Sequence, residues 1–365
     1  MPAGADSARI RSYAHKAFAH DKITIQSFED SVLVLSSLQR PKKVTVKGSD
    51  GKTYGLLCKP KDDLRKDQRL MEFNGVINRA LKRDAEASKR RLYIKTYAVT
   101  PLSEESGILE WVEGIKPIRD ILLQIYMRKG IRPNYAQIRS DLNEACKKSP
   151  PDGGKAFLEK VQSQFPACLH EWFTEVYPEP DTWFNARLRY ARTAAVMSMT
   201  GHVLGLGDRH GENILLQEST GGVFHVDFNC LFDKGSTFEK PEVVPFRLTH
   251  NMVDAMGPYG YEGPFRRSSE LTLGLLRQNK DTLNTILETF LYDPTTDFVG
   301  KKKRHTEGVP ETPQEILDSV GGKLKGYYKK ETVPLSVEGY ADALIRDAVD
   351  PWNLCQMYIG WCAFL

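Results

Sequence analysis

The stretch Gly205-Leu206-Gly207-Asp208-Arg209-His210-Gly211-Glu212-Asn213-Ile214-Leu215-Leu216, continued by His225-Val226-Asp227-Phe228-Asn229, decides how this chain is read. Asp208 is followed five residues later by Asn213, and Asn213 by apolar residues of strand type. A second acid, Asp227, stands fourteen residues past Asn213, just before Phe228. Moving a phosphoryl group from a nucleotide to a hydroxyl calls for a carboxylate at the acceptor and an Asn and an Asp on the metal ions, held on adjoining turns and strands. The spacing supplies all three. Asp208 is the candidate base, and Asn213 and Asp227 are the candidate holders of Mg2+ against nucleotide phosphates. His210 is a candidate donor toward charge developing on the phosphate. A polar turn with Asp208 or Asn213 as a cap would explain the first half of the pattern, but not the second acid downstream.

Upstream, Val32-Leu33-Val34-Leu35 leads into Ser36-Ser37-Leu38-Gln39-Arg40-Pro41. Val44-Thr45-Val46 and Tyr54-Gly55-Leu56-Leu57-Cys58 then flank the turn Gly48-Ser49-Asp50-Gly51, which predicts a β-hairpin. Leu70, Phe73, Ile77 and Leu81 recur at helical spacing, and Asp67 continues that stripe. Leu92–Val99 and Gly107–Val112 are further strand candidates. From Pro117 onward helical patterns dominate, broken by Gly201–Gly222 and by the Pro/Gly-rich Asp233–Gly263. The chain therefore divides into a polar lead-in (1–22), a small α+β lobe (23–114), a larger helical lobe (115–293), a polar loop-like segment (294–332) and a compact C-terminal unit (333–365). In that last unit Ser336 is the expected N-cap, Val337, Tyr340, Leu344 and Ala348 the buried stripe, and Asp350-Pro351 the break.

The 365 residues are 41% hydrophobic and 27% charged, a globular composition that excludes a disordered tail or a fibre. The longest apolar run, Met357–Leu365, is too short to span a bilayer, and the N-terminus lacks the features of a secretory signal. A soluble protein with no membrane partner is the expectation. The net charge of +4 is too small to argue for nucleic acid. Residues 59–91 hold 11 Lys or Arg against 6 Asp or Glu, interleaved along the polar side of the predicted helix, so a solvated helix face explains them. Six cysteines include no CxxC pair, and reduced thiols are expected; Cys355 and Cys362 would share a face if one helix carried both, poor geometry for a disulfide. Lys301-Lys302-Lys303-Arg304-His305 fits a nuclear import signal or a solvated loop equally well.

Arg209 and His210 follow the candidate base, where ordinary protein kinases place His-Arg before it. That order resembles the phosphatidylinositol-3-kinase-related protein kinases and their lipid-kinase cousins. The resemblance extends through Cys58-Lys59-Pro60 to Met71, through Pro245-Phe246-Arg247-Leu248-Thr249 at the end of an activation segment, and through Leu354–Trp361, which looks like a C-terminal FATC domain. Lys59–Phe73, Asp227-Phe228-Asn229 and Thr249–Val253 are most similar to the ATR-type branch, the DNA-damage checkpoint kinases. The resemblance implies an α+β, bilobal protein-kinase-like fold and transfer of the γ-phosphate of ATP, with Mg2+ or Mn2+, to protein Ser/Thr-Gln sites. It carries nucleotide contact to Ser36, Ser37, Lys59, Asp67, Tyr97, Glu110, Trp111, Val112, Leu215 and Val226, with Trp111 stacked on adenine. It further implies an ATR-interacting adaptor protein, dimeric assembly of a longer protein, a nuclear location, and DNA contact made through partners. Asn229 stands where kinases usually have Gly.

Lys59 ends an apolar strand, where an ammonium needs a phosphate or carboxylate; Asp67 is its expected partner. Between Asp227 and Pro245, Lys234 and Lys240 face Asp233, Glu239 and Glu242, a balance that repels a polyanionic lipid head group and favours a protein substrate. A phosphoinositide kinase and a non-catalytic kinase-like scaffold are the competing readings. Lys59, Asp208, Asn213 and Asp227 together argue against the scaffold.

Overall fold

The computed structural model describes residues 23–36, 39–293, 310, 312–329 and 332–365; Ser37, the lead-in and the Lys301–His305 run lie outside them. The chain splits into two compact units. One takes in the chain up to Gly75 together with Thr96–Gly114, the other Val76–Lys95 and Ile115–Leu365.

The first unit is built on one antiparallel sheet of β1 (Ile25–Val34), β2 (Lys42–Gly48), β3 (Thr53–Pro60), β4 (Val99–Ser103) and β5 (Ser106–Glu110), in the order β1-β2-β3-β5-β4. The hairpin expected around Gly48–Gly51 is β2–β3, with Val44 opposite Leu56 and Val46 opposite Tyr54. Asp50 organises its turn, accepting the Tyr54 hydroxyl at 2.7 Å and the Lys52 N–H at 3.1 Å. Helix α1 (Arg65–Arg83) carries the stripe read from the sequence, with Leu70, Phe73, Ile77 and Leu81 all buried and Asp67 buried in its first turn.

Leu92–Val99 is not the strand its residues suggest; only Val99 enters β4. Asn78 on α1 takes the place of a neighbouring strand. Its amide NH2 donates to the Ile94 carbonyl at 2.8 Å and its oxygen accepts the Ile94 N–H at 2.7 Å. One side chain thus satisfies the backbone that a ladder would otherwise pair.

In the second unit, α2 (Ala85–Lys89) precedes a three-stranded antiparallel sheet of β6 (Ile115–Pro117), β7 (Ile214–Gln217) and β8 (Val223–His225). Helices α3 (Ile118–Arg128), α4 (Tyr135–Ala145), α5 (Pro150–Lys160), α6 (Leu169–Val176) and α7 (Pro180–Val203) lie between β6 and β7 in sequence. From Thr193 to Val203 every residue of α7 is buried, as befits a helix at the centre of a core. It delivers the chain into the loop that carries Asp208. Past β8 come α8 (His250–Asp254), α9 (Pro264–Gln278), α10 (Lys280–Leu291) and α11 (Pro313–Lys325).

The C-terminal unit follows its sequence closely. Ser336 caps α12 (Val337–Val349), accepting the Gly339 N–H at 3.0 Å, and Tyr340, Leu344 and Ala348 are fully buried. Asp350 ends α12 and caps α13 (Pro351–Cys355). Cys355 and Cys362 do not share a helix, because α13 ends at Cys355; the sulfur nearest Cys355 is that of Cys146, 3.6 Å away. All six thiols are free, and Trp361 to Leu365 join the hydrophobic core of the second unit. Within the basic 59–91 stretch, Arg65 pairs with Asp63, Arg69 with Glu72 and Arg90 with Glu86, as a solvated, self-compensating face would. Among the described residues no helix is long and apolar enough to cross a membrane.

Candidate active site

Asp208, His210, Asn213 and Asp227 all belong to the second unit, and backbone geometry brings them together. Gly205 has φ +59°, and a side chain there would put its first carbon 2.3 Å from the Asp233 nitrogen, so the entry to the loop takes only glycine. Asp208 and Asp227 both adopt left-handed backbone at φ 58°, a conformation uncommon outside glycine that is held where surrounding bonds over-determine it. Arg209 supplies those bonds. Its guanidinium is buried and donates to the carbonyls of Gly207 at 2.9 Å, Val226 at 2.8 Å and Asp227. One planar fork therefore ties the loop after α7 to the turn after β8, a task for which the single nitrogen of a lysine lacks the spread.

His210 lies beside Asp208, with Nε2 3.9 Å from Oδ1. Its Nδ1 accepts the Glu212 N–H at 3.2 Å, so the hydrogen of the neutral ring resides on Nε2, on the side of Asp208. Burial holds the imidazole below its ordinary pKa, against the opposing pull of Asp208. A neutral ring with Nε2–H is a donor, not a second base.

Asn213 spends its NH2 on the Asp208 carbonyl at 2.9 Å, which leaves Oδ1 as the atom a cation would take. Asp227 steadies its own turn, with Oδ1 accepting the backbone N–H of Asn229 at 3.3 Å and its side-chain NH2 at 2.9 Å. Asn229 thus replaces the usual glycine with a side chain that braces the carboxylate. Amide and carboxylate oxygens are hard donors suited to Mg2+ or Mn2+. Among the described residues no three His, Cys, Asp or Glu side chains converge. An ion at Asn213 and Asp227 would complete its shell with phosphate and water oxygens, as Mg2+ does at nucleotide sites. The residues fit the ion. Leu215 is buried in β7, and Val226 donates its N–H to the Asn213 carbonyl at 3.1 Å.

In the first unit Trp111 follows β5, its N–H donating to the Gly55 carbonyl at 3.0 Å. Any side chain at 55 would meet the Trp111 Cβ at 2.7 Å, so Gly55 is what lets the indole lie on β3. The Lys43 ammonium sits 4.6 Å from the indole centroid and pairs with Glu113 at 2.8 Å. Glu110 is paired through its backbone N–H to the Ala98 carbonyl at 2.8 Å and through its carboxylate to the Ala98 N–H at 3.0 Å. Tyr97 and Val112 are buried, and Ser36 is exposed just past β1. The ion pair the structure shows for Lys59 is with Asp62, Nζ to Oδ2 3.2 Å, rather than the expected one with Asp67. Asp62 lies three residues on, in the turn between β3 and α1, where a flexible ammonium reaches it without crossing to the helix.

The phosphatidylinositol 3- and 4-kinase model matches residues 53–300, and the FATC domain model matches 334–365. The chain belongs to the phosphatidylinositol 3- and 4-kinase family. Protein kinase rad3 of Schizosaccharomyces pombe is 53% identical over 96% of the chain and 15% of its own length. Serine/threonine-protein kinase ATR of Drosophila melanogaster is 45% identical over 95% of the chain and 14% of its own length. The chain thus spans a small part of the curated relatives it matches. The solved FAT and kinase domain of CtTel1 superposes with a TM-score of 0.83 at 34% identity, over 95% of this chain and 24% of that one. The fold is the bilobal kinase fold of the family.

A groove of about 800 Å3 opens beside Asp208 and His210, and several residues along it were not singled out from the sequence. Arg119 and Glu212 line one part, where they pair at 2.9 Å. Phe238, Glu239, Lys240 and Glu242 come from the activation segment, and Met357, Tyr358 and Trp361 from the FATC end. Glu242 was legible only as one of three acids on that segment. The FATC residues were legible only as an apolar tail; no spacing places them next to Asp208.

Proposed function

We propose that this chain is the catalytic part of an ATR-type serine/threonine protein kinase, transferring the γ-phosphate of ATP to Ser or Thr hydroxyls that precede Gln. The observation that carries a protein substrate is the groove at Asp208. Its acids (Asp208, Glu212, Glu239, Glu242) outnumber its cations (Arg119, Lys240), and Met357, Tyr358, Trp361 and Phe238 give it apolar surface. A head group bearing several phosphates needs clustered cations, whereas a polypeptide suits this mixture.

In the reaction the acceptor oxygen bonds to the γ-phosphorus, the bond from that phosphorus to the β–γ bridging oxygen breaks, and the hydroxyl proton passes to the Asp208 carboxylate. Nε2–H of His210 donates to the phosphoryl oxygens as charge shifts onto them. Arg209 keeps the Asp208 and Asp227 segments in register, and Asn213 fixes the loop through the Asp208 carbonyl while offering Oδ1. When bound, Mg2+ or Mn2+ held by Asn213 and Asp227 neutralises phosphate charge. Lys59 is assigned to the phosphates and Trp111 to adenine, with Ser36, Asp67, Tyr97, Glu110, Val112, Leu215 and Val226 around the nucleotide. Ser37, outside the described residues, keeps its assignment from sequence.

DNA-damage and replication-stress checkpoint signalling, in line with the names of the relatives, and a dimeric assembly, in line with a solved CtTel1 dimer, belong to the same proposal; a nuclear location and an ATR-interacting adaptor rest on the sequence resemblance alone. Phosphate transfer to a Ser-Gln peptide, compared with the same peptide carrying Ala for Ser and with phosphoinositide vesicles, tests it. Transfer to the lipid alone would overturn the protein-kinase reading.

A further inference from the structure

Glu242 is the activation-segment acid whose surroundings the catalytic roles above leave unexplained. Both of its carboxylate oxygens accept the backbone N–H of Asp208, at 3.0 and 2.9 Å. Its own N–H donates to the Gly235 carbonyl at 3.1 Å. A Cβ at Gly207 would lie 2.5 Å from Glu242 Oε2, and one at Gly235 only 2.2 Å from it, so the carboxylate sits in a slot that two glycines make possible. The Trp361 side chain, from the C-terminal unit, lines the same groove beside this carboxylate. Burial pushes this carboxyl up in pKa, and the Asp208 N–H and the Trp361 side chain act against that. Three segments distant in sequence thus meet on one acid, and the group they hold is the left-handed backbone of the residue read as the base.

We infer that Glu242 is a positioning residue for Asp208, clamping its backbone so that the orientation of the base depends on the activation segment and on Trp361 both being seated. The inference rests on the reading of Asp208 as the base. Without the clamp the part-buried Asp208 N–H loses its partner and φ is free to leave the left-handed region, which swings the side chain. A residue that acts in this way governs turnover and leaves substrate affinity alone.

The test uses the purified protein as wild type, Glu242→Gln, Trp361→Phe, the double variant and Asp208→Ala, with kcat and KM measured for ATP and a Ser-Gln peptide. Glu242→Gln replaces one of the two oxygens that share the Asp208 N–H with an NH2 group that cannot accept it; kcat should fall about tenfold while both KM values stay within about twofold. Trp361→Phe should lower kcat by a smaller factor, and the double variant should be no slower than Glu242→Gln, because both losses pass through one carboxylate. A Glu242→Gln enzyme with wild-type kcat, a loss seen only in peptide KM, or losses that multiply would each overturn the inference. If Glu242→Gln does not fold, Trp361→Phe decides alone: reduced kcat at unchanged KM supports the clamp, and wild-type kcat refutes it. Asp208→Ala separates the two levels. An inactive Asp208→Ala beside a fully active Glu242→Gln removes only the clamp, whereas an active Asp208→Ala removes the base itself.

Discussion

Replacing Arg209 with Lys probes how the two acidic turns are held together. The guanidinium makes three hydrogen bonds to carbonyls from a buried position, and an ammonium at that site can keep at most one of them in good geometry. Each charge-assisted bond lost costs about 1.5–3 kcal/mol, so two of them sum to roughly 3–6 kcal/mol. Relaxation of the Val226 and Asp227 carbonyls toward water favours the low end, about 3 kcal/mol. Urea unfolding followed by tryptophan fluorescence measures this as a lower midpoint at unchanged slope. Well below that midpoint, phosphate transfer by Arg209→Lys should still be reduced more than about tenfold, since Asp227 is no longer tied to the loop that carries Asp208. A variant destabilised by less than about 1 kcal/mol, or one that turns over at the wild-type rate, would refute the idea that this fork sets the register.

Asp208→Ala should abolish transfer and leave ATP affinity nearly intact, whereas Asp227→Ala should also remove the metal dependence of nucleotide binding; calorimetry with and without Mg2+ distinguishes them. Gly205→Ala forces a side chain into left-handed backbone and against the Asp233 nitrogen, and should lower stability by about 2–4 kcal/mol in the same unfolding assay. Burial holds His202 and His225 well below their ordinary pKa, so below about pH 6.5 the unfolded chain binds protons the folded one does not. Stability should therefore fall as pH drops through 6.5 toward the folded values, by about 1.4 kcal/mol per pH unit for each histidine. His202→Gln, keeping a polar partner for the Tyr340 hydroxyl that lies 2.8 Å from Nε2, should flatten that slope.

The catalytic pattern was legible because its parts are close in sequence: Asp208 to Asn213 is one loop, and Asp227 follows a single hairpin. Helix α1 and the C-terminal cap at Ser336 were legible for the same reason, through period and capping chemistry. Leu92–Val99 misled because β-rich residues describe a half-buried extended chain without saying what pairs with it, and here Asn78 does so. The Lys59 pairing misled because a stripe identifies a buried acid but not which of three nearby acids a flexible lysine reaches. The places of Glu242, Arg119 and Trp361 beside the catalytic loop were out of reach. Each meets the catalytic loop across a long stretch of chain, and a glycine at 207 or 235 reveals nothing of the carboxylate it makes room for.

Radiolabel transfer from γ-labelled ATP to a Ser-Gln peptide, with wild type and Asp208→Ala side by side and Mn2+ present or withheld, bears most directly on the central claim. Label on the Ser-Gln peptide, none on its Ala-Gln counterpart, dependence on the metal, and loss of transfer in Asp208→Ala are the expected results. Transfer that survives Asp208→Ala would contradict the account.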